Sequence, residues 1–391
     1  MTSKERFLKA MTGEIPDRVP VSADISNMIP AKRTKLPFWD IYFFNKYPLW
    51  KAYLKAADYF KLDPWLASCT GASFLYEEKN FDEKISYEYD RDEDCYIRKS
   101  EISTPAGNMT GTSICYRNDP PSPVEKLIKN PEEDFEKFKY LCQEPKSINK
   151  SLMDEIKSEC LKRSCAFGVC IGYPGFQSWN SAIEGGIMPL SYLEMDNPAL
   201  LESWFELDMA NGTKAMELLV EYRPDYILFG GSGTITLASP QLAEKYALPA
   251  LKKWSAIAKK AGIPTMLHSC GKSRVLVDML VEETDIDCIN PLEVAPMGDV
   301  DLAEVKKARG DQICLMGNLH TTEIMLNASP KTVERKAKEC IEIAGKGGRF
   351  ILSTGDQCGY NTPDENLFAL SEAAQKYGDY DQKSGDLTYF N

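Results

Sequence analysis

The 391-residue chain contains only two histidines, His268 and His320, so any imidazole chemistry is confined to two places. It has no excess of positive charge. The formal net charge of -12 argues against nucleic acid, whose binders present basic patches. No run approaches the roughly 20 apolar residues that a membrane-spanning helix needs. The start, Met1-Thr2-Ser3-Lys4-Glu5-Arg6-Phe7, reads as an amphipathic helix and lacks the apolar stretch of an export signal. No Gly-rich dinucleotide fingerprint follows any strand candidate, and no internal repeat is visible. Cysteine, by contrast, is plentiful. Twelve of them at irregular spacing in a chain this long read as free thiols in a reducing compartment, not as a disulfide framework. The expectation is a cytoplasmic protein, and free thiols with a soft-metal site fit a low-oxygen organism.

What the sequence does offer centres on Thr265-Met266-Leu267-His268-Ser269-Cys270-Gly271. A short apolar run leads into a histidine, a cysteine and a glycine, and an amphipathic helix pattern follows. Side chains two apart on a strand share one side, so His268 and Cys270 can aim at a single ion. Imidazole and thiolate are ligands that suit zinc. A third candidate is Cys358, just beyond the apolar strand 349–352 in Ser353-Thr354-Gly355-Asp356-Gln357-Cys358. The competing reading is ordinary burial, since cysteine is among the most buried residue types.

Strand candidates at 19–23, 64–68, 165–171, 226–229, 265–270, 288–291, 313–317 and 350–353 alternate with helical patterns. Helices are expected over 3–12, 199–222, 238–261, 331–344 and 364–377, and helical segments over 131–162. Eight such units imply a (β/α)8 TIM barrel, with the first helix as an N-terminal extension. Residues 85–116 alternate differently and carry turns at 90–94 and 105–108, so they read as a small antiparallel β insertion. The whole of 1–391 is expected to be one barrel domain including that insertion. Ligands in a barrel bind at the C-terminal ends of the strands. Those ends bring Asp24, Tyr173, Gly230, His268 with Cys270, Glu293, Asn318 with His320, and Cys358 to one mouth. The rings between Phe38 and Tyr53 have mostly helical spacing, which favours packing or a lid over a cofactor box.

With these residues in view the chain resembles the uroporphyrinogen decarboxylase superfamily, and within it the zinc-dependent, corrinoid-linked methyltransferases. The resemblance rests on Lys4-Glu5-Arg6-Phe7 with Pro16-Asp17-Arg18-Val19-Pro20, Thr104-Pro105-Ala106-Gly107, Gly172-Tyr173-Pro174-Gly175-Phe176, Gly317-Asn318-Leu319 and Thr362-Pro363 with Glu365-Asn366. It implies zinc held by His268, Cys270 and Cys358, with substrate in the fourth place and Glu293 filling it otherwise. A solvated loop carboxylate is the alternative for Glu293. It also implies a methyl group moved between a small substrate and the cobalt of a corrinoid. No Asp-x-His-x-x-Gly pattern is present to hold one, so a separate corrinoid protein is expected as partner. A homodimer is compatible with this reading.

An aromatic entrance built from Phe38, Trp39, Tyr173, Phe176 and Trp179, with Asp24 and Asn318, would suit a methoxylated aromatic and an O-demethylase-type transfer to Co(I). A thiol of the coenzyme M kind is the main alternative, and a non-catalytic barrel is another. Decarboxylation of a porphyrinogen is disfavoured, because residues 22–30 lack the arginines that true decarboxylases carry there. Three departures from the methyltransferase pattern stand out. Asp356 and Gln357 intervene between Gly355 and Cys358, where relatives tend to place the cysteine directly after the glycine. Gly230-Gly231-Ser232-Gly233 stands where many relatives carry acidic residues. His320 occupies a usually acidic position, as a proton donor or substrate-orienting residue, or as a loop residue bonded to backbone.

Overall fold

The computed structural model describes residues 1–67, 73–76 and 80–390. In chain order its strands are β1 (Trp65–Leu66), β2 (Phe74–Tyr76), β3 (Asp82–Asp90), β4 (Cys95–Thr104), β5 (Gly107–Tyr116), β6 (Ser122–Glu125), β7 (Pro145–Ile148) and β8 (Ala166–Gly172). They continue as β9 (Tyr226–Gly230), β10 (Thr265–His268), β11 (Cys288–Asn290), β12 (Cys314–Leu319) and β13 (Phe350–Thr354). A parallel sheet runs β1-β8-β9-β10-β11-β12-β13. The stretch around Val21 fills the remaining place. Ser22 N–H donates to Leu352 O at 2.8 Å, Leu352 N–H to Pro20 O at 2.9 Å, and Asp63 N–H to Val21 O at 2.7 Å. That contact set joins β13 to the chain entering β1, which is the expected (β/α)8 barrel. Ser68, the last residue of the second expected strand, lies outside the described residues.

Alternation along the strands separates two cores. Tyr226, Leu228, Met266, Cys288, Cys314, Met316 and Ile351 face inward and pack with Phe7, Ala10 and Met11 of the helix Ser3–Thr12. Ile227, Phe229, Leu267, Ile289, Leu315 and Leu352 face the surrounding helices. The first helix therefore plugs the end at which the strands begin. Its Phe7 ring lies 5.7 Å from Tyr226 and 6.4 Å from Trp65. Arg6 is bound to Asp17 at 2.6 Å and to fully buried Asp63 at 2.5 Å, and Arg18 also reaches Asp63. Lys-Glu-Arg-Phe and Pro-Asp-Arg-Val-Pro are thus a structural lock on the barrel floor. Removing one partner of such a buried pair leaves the other charge uncompensated.

The β insertion is larger than its alternating core suggests. β3–β6 form a four-stranded antiparallel sheet from Asp82 to Glu125, with Thr104 and Gly107 paired across a two-residue turn. The Pro-rich connector ends in strand β6, because Ile114 pairs with Ser122. The span 131–162 is not wholly helical. Helices Pro131–Phe138 and Lys150–Lys162 flank β7, where Pro145 cannot continue a helix and the chain pairs with β2 instead. The early aromatic stretch packs onto the insertion: Trp39 and Phe44 lie 5.4 and 5.1 Å from the Tyr96 ring.

Candidate metal centre

β10 ends at His268, and the chain turns at once through Ser269-Cys270-Gly271 into the helix Arg274–Glu283. The turn requires glycine. Gly271 has φ +81, and a Cβ there would collide with the Thr236 hydroxyl, which itself accepts from Lys272 N–H at 2.7 Å. This geometry leaves the Cys270 thiol beside the Ser232 hydroxyl, at 2.9 Å. After β11, Glu293 is 6 % exposed, and its carboxylate accepts the Gly271 N–H. After β13, Thr354 donates its hydroxyl proton to Asp356 O at 2.7 Å, and Asp356 Oδ1 accepts from Gln357 N–H at 2.8 Å.

Three strand ends thereby converge. One ligand-type atom each from Cys270, Glu293 and Asp356 lies within 4.8 Å of the others. Burial raises the pKa of all three groups. Ser232 opposes the shift at Cys270, the Gly271 N–H opposes it at Glu293, and His268 opposes it at Asp356. Asp356 also raises Cys270 and Glu293, and Glu293 raises Cys270, the mark of like charges confined together. A bound divalent cation is the agent that favours deprotonation of such a set together. A thiolate and two carboxylates beside an imidazole form a donor set that fits zinc.

The expected residues divide. Cys270 and Glu293 are in the cluster, and Asp356, expected only as a residue intervening before Cys358, is with them. His268 lies outside this tightest group, though its charge acts on both Glu293 and Asp356. The structure does not bring Cys358 in. Its side chain is fully buried in the hydrophobic core, its N–H donates to Asp24 O at 2.9 Å, and burial pushes its thiol up to about 12. Asp24, 5 % exposed, accepts from Ser26 N–H and donates its own N–H to the Thr354 hydroxyl at 3.0 Å. It braces the same turn and also raises Asp356.

The rings expected at an entrance are committed to packing. Phe38 and Trp39 are buried in one aromatic group, while Phe176 and Trp179 lie in another with Trp204 and Tyr246. Tyr173 is buried beneath the Ser232 loop, 2.6 Å from the Thr234 hydroxyl. Asn318 donates to Leu292 O at 3.0 Å and so holds the segment carrying Glu293. His320 caps the turn Thr321–Leu326. Its Nδ1 accepts from Thr322 and Glu323 N–H, both at 3.1 Å, while its buried Nε2 has no partner among the described residues. Asn318 and His320 line a cavity of about 710 Å³ together with Val294 and Cys340.

The uroporphyrinogen decarboxylase family model matches residues 212–377, the stretch from the helix before β9 to the helix after β13 that carries all three clustered donors. This stretch of the chain is similar to the uroporphyrinogen decarboxylase family. Similar proteins include a methylated-thiol–coenzyme M methyltransferase of Methanosarcina mazei, 28 % identical over 37 % of this chain and 36 % of that protein. A methylcobamide:CoM methyltransferase, MtbA, of the same organism is 30 % identical over 46 % of this chain and 49 % of its own length. The chain thus spans about half or less of the length of these relatives. A solved structure, a methyltransferase from Methanosarcina mazei, superposes with a TM-score of 0.66 at 18 % identity, covering 96 % of this chain and 99 % of that one. That superposition shows a shared barrel fold.

Proposed function

We propose that this protein is a zinc-dependent methyltransferase that moves a methyl group between the sulfur of a small thiol and the cobalt of a separate corrinoid protein. The observation that carries this reading is the convergence of Cys270, Glu293 and Asp356 at one barrel mouth, beside His268. The superfamily relatives support the thiol: those with the longest matches are named for transfer to or from coenzyme M. A thiol of that kind therefore ranks above the methoxylated aromatic, whose supporting rings are spent on packing.

A zinc ion bound in this cluster would supply Lewis acidity, holding a substrate sulfur as thiolate near neutral pH. The chain's own residues do the rest. The Gly271 N–H orients the Glu293 carboxylate, and Ser232 steadies Cys270. The accepting Nδ1 of His320 leaves the proton of the neutral ring on Nε2, where it is available to a substrate acceptor atom. Asn318 keeps the Glu293 segment against β12.

The test is to purify the protein in reducing, chelator-free buffer, measure its metal content, and supply methylcobalamin with 2-mercaptoethanesulfonate or, separately, Co(I) cobalamin with methoxylated aromatics. About one zinc per chain, with methyl thioether formed in the first assay, is expected. Folded, zinc-loaded protein that forms no methylated thiol would overturn the thiol reading. Demethylation of an aromatic would put the O-demethylase in its place.

A further inference from the structure

We propose that Asp356, and not Cys358, is the third protein ligand beside Cys270 and Glu293, so that the ion is held by a single thiolate with carboxylate oxygens. This assignment rests on the metal-centre reading above and sharpens it. Asp356 and Cys358 sit two residues apart on the turn after β13, and only one of them reaches the cluster. An Asp356 carboxylate oxygen lies within 4.8 Å of both the Cys270 sulfur and a Glu293 oxygen. Cys358 is fully buried, packed in the core cluster that surrounds the barrel, with its thiol beside the Thr354 and Thr362 hydroxyls and outside the group of converging donors. Its backbone is pinned as well, through its N–H to Asp24 O. With the backbone held there, bringing its sulfur to the mouth would vacate its place in the core, a change of the kind that destabilises folded proteins.

The backbone supports the same choice. Asp356 has φ +146, a conformation that L side chains rarely adopt. Strained residues of this kind persist where their surroundings over-determine them. Here the Thr354 hydroxyl holds the Asp356 carbonyl, the Gln357 N–H holds its carboxylate, and the Gln357 amide is tied in turn to the Ser26 hydroxyl at 2.9 Å. The turn is thus fixed with the carboxylate presented to Cys270. In the sequence, Asp356 is the residue directly after Gly355, the place at which the departure from the methyltransferase pattern begins. Cys270 and Cys358 together would have given a softer, sulfur-richer site. The structure gives a harder one, with oxygen donors outnumbering sulfur.

Cobalt(II) is the probe that separates the alternatives, because absorption from thiolate-to-cobalt charge transfer grows with the number of thiolates bound. Protein reconstituted with Co²⁺ under anaerobic, reducing conditions is expected to show one thiolate's intensity. Cys358→Ala and Cys358→Ser are expected to keep both that spectrum and the metal stoichiometry. Asp356→Ala is expected to weaken metal binding roughly ten-fold or more, and Asp356→Cys to add a second thiolate's intensity. Circular dichroism establishes folding for each variant, and the Ala and Ser versions of Cys358 separate ligation from core damage. Loss of about half the charge-transfer band in folded Cys358 variants, with Asp356→Ala unaffected, would overturn this assignment alone. Folded wild-type protein that takes up neither zinc nor cobalt would overturn the assignment and the metal-centre reading together.

Discussion

Ser269 and Thr234 hold each other twice: the Ser269 hydroxyl donates to Thr234 Oγ1 at 2.8 Å and accepts the Thr234 N–H at 3.1 Å. Both side chains are fully buried. The pair locks two loops, because Ser269 directly precedes Cys270 and Thr234 closely follows Ser232. Tyr173 extends the chain of hydroxyls on the inner side, and Gly231 must be glycine because a Cβ there would meet the Tyr173 phenol ring at 2.6 Å. The thiol and its hydroxyl neighbour are therefore held in place from beneath.

Ser269→Ala removes both bonds and strands a buried N–H. A loss of about 1–3 kcal/mol in stability is expected, together with metal binding weakened about 10–100-fold, as for other groups that orient ligands. Denaturant melts and competition with a chromophoric chelator read the two effects separately. Unchanged metal affinity in the variant would show that this lock does not position Cys270.

His320 offers a cleaner separation of roles. Its Nδ1 serves the backbone, and its Nε2 is buried without a protein partner. Asn at this position retains a capping acceptor but places no donor where Nε2 stands. His320→Ala is expected to cost about 1 kcal/mol of stability and His320→Asn little. Both variants are expected to lower kcat/KM for methyl transfer about ten-fold, the scale of one lost hydrogen bond to substrate. Full activity in His320→Asn would confine this histidine to capping.

The barrel was legible because its signal is repeated. Short β-branched or apolar strands alternate with amphipathic helices, and even the weak second strand, expected over 64–68, is found at Trp65–Leu66. The floor plug was half legible: the helix 3–12 stood out, but only the structure shows that Arg6 and Arg18 meet at Asp63. The strand β7 was hidden because its four residues lie between two real helices and pair with β2, a long-range contact that no local pattern encodes. At the mouth, Cys270 and Glu293 follow from strand ends and alternation. Asp356 does not, because cysteine is the commoner soft-metal ligand and stands only two residues further on. The direction in which a turn residue points depends on its φ, and φ +146 is not a value that a sequence announces for aspartate.

Away from the mouth, Asp208 on the helix Pro198–Tyr222 makes the protein's stability depend on pH in a predictable sense. Its carboxylate accepts the Trp179 Nε1–H at 2.8 Å, which favours the ionised form, but burial outweighs that bond and pushes the carboxyl up to about 6. The folded state therefore binds this proton more tightly than the unfolded chain does. Below the ordinary value of 3.8 the group is protonated in both states and contributes no difference. As pH rises from there through about 6, the unfolded chain releases its proton first, and stability falls. Above that window the folded protein carries a buried carboxylate at a cost of up to about 3 kcal/mol. Asp208→Asn keeps an acceptor for Trp179 and removes the charge. It is expected to raise stability by about 2–3 kcal/mol at pH 7 and by almost nothing at pH 3.5, measured by urea unfolding at both values. An equal gain at the two pH values would mean that packing, not ionisation, separates the variant from the parent. A loss at pH 7 would mean that the Trp179 bond to the charged oxygen outweighs burial after all.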